Sequence, residues 1–160
     1  MSDILLKVVE ANDKPQWLEL SHEFDVYIEE LVGSLSQWYD GNESDITFSD
    51  YMNSKIAKKE AIMAIDRTST VCLGILAFSR NNNKITFFGI SHKADFESVS
   101  KILIDYSLSQ LDTIKQITIN IIKSDAEIID KERRILIEYG FKYCNSELEN
   151  GVPVDKLCRM

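Results

Sequence analysis

The segment Ser91–Lys101, SHKADFESVSK, joins an alternating apolar run to a long amphipathic stretch, so it reads as the passage from a strand into a helix. The first turn of a helix leaves backbone N–H groups without partners and carries the positive end of the helix dipole, which suits it to phosphate. Such passages commonly use glycine to let the chain approach the ligand, and this one has none. Lys93 and Lys101 bring positive charge, while Asp95 and Glu97 stabilise the helix end and compete with a bound anion. His92 lies in the same passage, either as a base or as an exposed loop histidine. Neither His22 nor His92 has an HxxxH or cysteine partner, so no metal site is expected. Cys72, Cys144 and Cys158 are widely spaced without a CxxC pair and are expected to be reduced thiols of a cytoplasmic protein.

The elements that must position these residues follow from periodicity. Ile4–Val9 reads as a strand. Asp13, with Gln16 as its capping-box partner, opens a helix whose apolar stripe is Trp17, Leu20, Phe24, Ile28 and Leu31. Gly33 ends it, the polar stretch to Asp45 is a loop, and Phe48, Tyr51, Met52 and Ile56 suggest a second helix. EAIMAID, VCLGILAFS and KITFFGI are strand-like runs separated by short polar connectors, as in an antiparallel meander. Asp95 then caps a helix carrying Phe96, Val99, Leu103 and Tyr106 on one face. QITINII alternates as a strand, and the capping box Ser124–Glu127 opens a helix with Ile128, Ile135, Leu136 and Tyr139. Gly140-Phe141 reads as its C′ glycine and following apolar contact. FKYCNSE and VPVDKLCRM are two last strands around an Asn-Gly turn.

The 160 residues suit one domain, 1–160, with a substantial core. The first ten residues lack the basic-then-apolar pattern of a signal peptide, and no apolar run is as long as a membrane span. A net charge of −8 argues against nucleic acid or an anionic membrane as partner and suits a cationic small molecule or basic peptide, or simple solubility.

This element order, with VCLGILAF and its interior Gly74, KITFFGISHKADFESVSKILIDYSL, and ILIEYGFKY, resembles the GNAT superfamily of acyl-CoA-dependent N-acetyltransferases from about Ile4 to Met160. The resemblance implies an α+β (α/β) fold: a mixed, mostly antiparallel sheet of about seven strands, one parallel βαβ crossover and four helices. It implies acetyl-CoA as co-substrate and direct attack by a small-molecule or peptide amine on the thioester.

What it implies for single residues follows the motifs. The pyrophosphate turn of the family, Q/R-x-x-G-x-G/A, falls on Lys93, Phe96 and Ser98, or one residue later on Ala94, Glu97 and Val99. A backbone amide of Gly89, Ile90 or Ser91 would hold the oxyanion, Ile90 foremost, and Asn120 would bind the pantetheine arm. The usual acid, a tyrosine four residues before the late glycine, is replaced by Leu136. Tyr139, displaced about 4.5 Å along the helix, is the substitute acid or a core tyrosine. Trp38, Tyr39 and Asp40, with Glu43 and Asp45, form an acidic aromatic cradle for the acceptor or a solvated loop. No base carboxylate is present in KITFFGI. The alternative of a different class is a catalytically degenerate binding or regulatory module, and a homodimer arises if the last strand pairs with a second copy.

Overall fold

The computed structural model describes residues 3–32, 48–149 and 152–160. Trp38, Tyr39, Asp40, Glu43, Asp45 and the Asn-Gly turn lie outside the described residues. In chain order the elements are β1 (Ile4–Val8), α1 (Lys14–Val32), α2 (Phe48–Lys58), β2 (Ala61–Asp66), β3 (Cys72–Ser79) and β4 (Lys84–Ile90). Then come α3 (Phe96–Gln110), β5 (Ile117–Ile122), α4 (Glu127–Glu138), β6 (Lys142–Glu149) and β7 (Val152–Arg159). Among the described residues the strands form one sheet in the order β1-β2-β3-β4-β5-β7-β6. Every neighbouring pair is antiparallel except β4 and β5. The expected mixed sheet with a single parallel crossover is therefore present, and β7 pairs within the chain with both β5 and β6.

Two glycines show why helices can lie close on both faces. A Cβ on Gly89 would stand 2.5 Å from the Phe24 ring, so α1 packs on that face. A Cβ on Gly74 would meet Val99 and Leu103, each at 3.0 Å, so α3 covers the other face. α2 meets β4, where the Tyr51 hydroxyl shares a hydrogen bond with Thr86 at 2.5 Å. α4 joins α3, because Lys131 lies 6.0 Å from the centre of the Phe96 ring.

Local signals are realised where their partners are near in sequence. Asp95 caps α3, accepting the Ser98 amide at 3.2 Å. Gly140 has φ +95°, and the amides of Gly140 and Phe141 return to Ile137 and Leu136 at 3.0 and 3.1 Å, closing α4 as expected. Two capping boxes are not realised. Asp13 is buried and turns backward, accepting the Glu10 amide at 2.8 Å and facing Lys7 at 3.0 Å. Ser124 accepts the Ala126 amide at 3.0 Å in a turn, and the helix begins only at Glu127.

The cysteine expectation is corrected as well. Cys144 occupies a bulge between the register pairs Tyr143↔Leu157 and Asn145↔Lys156. That extra residue brings it to Cys158, Cα to Cα 6.0 Å, and the two are disulfide-bonded. Cys72 alone is a free thiol, buried, with its ionisation pushed up to about 12 by desolvation, so it is inert at neutral pH.

Candidate functional site

β4 and β5 pair only at Lys84↔Thr118 and Ile85↔Ile119, although both strands continue. The reason lies one residue further along β4. Its register with β3 passes from Phe78↔Ile85 to Ala77↔Phe87, leaving Thr86 as an extra residue. A bulge bends and twists its strand, and here pairing with β5 stops at it, leaving a gap between the two strands from Thr86 to Ile90.

The ladder also decides which amides face that gap. Ser91 donates to the Leu73 carbonyl at 2.8 Å. In an antiparallel pair alternate residues bond to the neighbour, so Ser91 and Gly89 address β3 while Phe88 and Ile90 turn their N–H groups toward the opening.

At the exit of β4 the turn is already occupied, by a carboxylate from α1. Glu23 accepts the Ser91 hydroxyl at 2.9 Å and the His92 amide at 2.6 Å, and His92 Nδ1 lies 2.8 Å from it. The Lys93 and Ala94 amides return to Ser91 Oγ and Ser91 O, both at 3.1 Å. Asp95 takes both the amide and the hydroxyl of Ser98. These bonds hold the Asp95 carboxyl below the usual carboxylate range. Val99 is fully buried against the sheet and offers no polar group to a ligand. The turn thus satisfies its own amides as far as Ala94, and those of Phe96 and Glu97 have no hydrogen-bond partner among the described residues.

The cations fare differently from one another. Lys101 is paired with Glu97 at 2.9 Å, whereas Lys93 has no ion-pair partner among the described residues. Lys131, which the sequence reading overlooked, is brought beside Phe96 by α4 and lies 3.6 Å from Glu127. Next to the turn is a cavity of about 580 Å³, lined in part by Glu19, Leu20, Glu23, Cys72, Ile90 and Ile128.

Tyr139 is held elsewhere. Its hydroxyl donates to Asp105 at 2.8 Å and lies 3.3 Å from the Lys101 carbonyl, at the seam of α3 and α4. Burial, with the Asp105 carboxylate, raises its ionisation well above the ordinary value. This seam is at the C-terminal end of α4, beside the paired ends of β4 and β5 and away from the gap. Asn120 donates to Glu149 at 3.3 Å and leaves Oδ1 buried without a partner among the described residues.

Two groups escaped the sequence reading because their residue types argue for a surface. Glu132 is only 5% exposed and Ser100 is 0% exposed, each lying on the inward face of its helix. Burial pushes the Glu132 carboxyl up to about 8, with neighbouring Arg133 acting in the opposite sense. The inward stripe of α3 is Val99, Ser100, Leu103, Ile104 and Ser107, rotated from the expected one so that Phe96 and Tyr106 are only partly buried.

A mixed seven-stranded sheet with one parallel pair and four helices is the fold of the GNAT acetyltransferases, and this chain has that fold. A GNAT-family acetyltransferase from Bacillus cereus superposes with a TM-score of 0.67 over 99% of each chain at 13% identity. NAA60 of Arabidopsis thaliana, solved with a bisubstrate analogue, gives 0.66 over 98% of this chain and 97% of its own at 11% identity. Arabidopsis Naa50, solved with the bisubstrate analogue CoA-Ac-MVNAL, gives 0.61 over 98% of both chains at 11% identity. No protein-family model matches the sequence, and no curated protein does. No described helix is long and apolar enough to cross a membrane.

Proposed function

We propose that this chain is an acyl-CoA-dependent N-acetyltransferase, moving an acetyl group from acetyl-CoA to the amine of a small molecule or peptide. The observation that carries the reading is the gap between β4 and β5, into which the Ile90 and Phe88 amides turn while neighbouring amides are spent on β3. A thioester arm entering this gap would find those amides as donors, with Ser100 Oγ and the acceptor Asn120 Oδ1 buried without partners among the described residues. These polar groups suit the amide-bearing arm. The Ile90 amide is suited to the developing oxyanion, since a fixed backbone dipole there needs no reorganisation. Phe96 and Glu97 amides with Lys93 and Lys131 would receive the phosphates, and the loop with Trp38, Tyr39 and Asp40 remains the proposed acceptor cradle.

The Glu23 carboxylate on the turn favours a second reading: a GNAT-fold binding or regulatory module without turnover. Thermal unfolding with CoA and acetyl-CoA tests the two together. Ligand at a hundred times its Kd stabilises by about 2.7 kcal/mol, or roughly 5–10 °C for a chain of this size. The absence of any shift at millimolar ligand overturns the enzyme reading and leaves a module that binds no acyl-CoA. A shift without thiol release across an amine panel leaves only the binding module.

Glu23→Gln removes the negative charge and keeps an acceptor. It is expected to tighten CoA binding by about three- to tenfold, on the order of 1 kcal/mol as for partly exposed ion pairs. Titration calorimetry of the two proteins checks this, and equal affinities would mean that Glu23 does not compete with the phosphates.

A further inference from the structure

Glu132 and Ser100 come from different helices, and the contacts of those helices fix where both point. α4 meets α3 through Lys131, at Phe96, and through Tyr139, at Asp105, while Arg133 reaches the other way, 3.7 Å from Asp155 of β7. Successive helical residues advance about 100° around the axis, so with Lys131 at zero Tyr139 stands at about 80°, Glu132 at about 100°, Leu136 at about 140° and Arg133 at about 200°. Glu132 thus points into the wedge between α3 and the sheet. On α3, Val99 and Leu103 cover Gly74 of β3, and Lys101 and Asp105 meet Tyr139. With Val99 at zero, Ser100 stands at about 100° and Lys101 at about 200°, so Ser100 points between β3 and α4, over β4 and β5. The two side chains converge on the strands that part.

Both are polar and both are buried, and Ser100 Oγ has no hydrogen-bond partner among the described residues. Burying such groups unpaired costs free energy, and a ligand group in the gap would relieve it. Glu132 is one turn from Leu136, about 6 Å nearer the open end of the gap. Leu136 holds the position at which the resemblance expects an acid.

We propose that Glu132 is the general acid of the transfer and that Ser100 lines the same slot. The inference rests on the acetyltransferase reading above. As the amine nitrogen bonds to the carbonyl carbon, the oxyanion is held at Ile90 N–H. The C–S bond then breaks with its electron pair going to sulfur, and the Glu132 O–H gives its proton to that sulfur, yielding free thiol. The proton lost by the attacking nitrogen restores Glu132. The carboxyl suits the role because burial keeps it protonated at neutral pH. The charged groups on the elements packed round it are Glu127, Asp130, Lys131, Arg133, Arg134 and Glu138 on α4, Glu97, Lys101 and Asp105 on α3, Asp155, Lys156 and Arg159 on β7, and Lys84 at the paired end of β4. β5 contributes none.

The test compares wild type with Glu132→Gln in two measurements. The first is binding of S-methyl-CoA, whose sulfur does not titrate, between pH 7 and 9. Wild type is expected to bind more weakly as pH rises and Glu132 ionises beside the arm, and the variant to bind equally throughout. The second is turnover of acetyl-CoA with an amine that wild type accepts. The variant is expected to lose about 10²–10⁴ in kcat, the usual contribution of a general acid, and with it the fall in rate above about pH 8. Thermal unfolding confirms that the variant is folded, and if it is not, Glu132→Asp is used, for which kcat falls but the alkaline limb persists. Unchanged kcat with the same alkaline limb overturns the assignment while leaving the enzyme reading intact. Wild type that neither binds S-methyl-CoA nor turns over overturns both.

Discussion

Replacing Gly89 by valine is expected to destabilise the protein by about 2–3 kcal/mol, the upper part of the range for overpacked cores, lowering Tm by roughly 5–10 °C. The cause is local. A Cβ at residue 89 would stand 2.5 and 2.6 Å from Phe24 Cζ and Cε2. The ring cannot swing freely, because it is fully buried and packs against Phe87 at a centroid distance of 5.7 Å. Either α1 lifts from the sheet or the ring leaves its rotamer, and both lose contacts that close packing supplies. Phe24→Ala alone should cost about 3–5 kcal/mol by leaving a cavity. The double variant Gly89→Val with Phe24→Ala should cost clearly less than the sum, since the new methyls occupy the space the ring vacates. Additive losses in urea unfolding would show that the two residues do not meet. The same displacement would withdraw Glu23 from Ser91 and His92, so the β4 exit should loosen together with the core.

The stability of wild type is expected to fall as pH rises from about 4.5 to about 8, and that of Glu132→Gln to lack this component. The sign follows from proton counting. The carboxyl is raised in the folded state, so over this window the native protein holds a proton that the unfolded chain has released. Unfolding is then favoured by rising pH, at up to about 1.4 kcal/mol per pH unit. Below the unfolded value both states are protonated, and above about 8 both are ionised, so the contribution is level outside the window. Urea unfolding of the two proteins from pH 5 to 9 checks the difference. Parallel curves would mean that the carboxyl is solvated and the wedge between the helices is wet. Because no ligand is involved, the measurement bears on the burial of Glu132 whatever the chain transfers.

Much of the fold was legible because its signals are short-range. Gly140-Phe141 closes a helix through bonds that span only a few residues, and Asp95 caps α3 through Ser98 three residues on. The alternation of the strands and the single parallel crossover follow from side-chain period and connection length. Where a local signal had a rival, it lost. Asp13 could bond forward or backward, and Lys7 on the preceding strand drew it backward. Cys144 and Cys158 looked unrelated because only the bulge in β6 brings them together.

The candidate site was legible in position but not in composition. The passage from strand to helix at Ser91–Lys101 lies where the periodicity put it, and Ile90 faces the gap because of how β4 pairs with β3. No pattern marks Thr86 as the extra residue that parts β4 from β5. Glu23 and Ser91 are 68 residues apart, and nothing near either predicts that a carboxylate would sit on the turn.

Taken alone, the sequence determined the order of elements, the start of α3, the close of α4 and the lack of glycine in the turn, since each depends on neighbours within a few residues. Only the tertiary structure decided that the glycine-free turn is closed on a carboxylate of its own chain. It alone decided too that an acidic residue of α4 and a serine of α3 are buried over the same opening. Those outcomes depend on how helices pack against a sheet, where side chains distant in sequence compete for the same few donors.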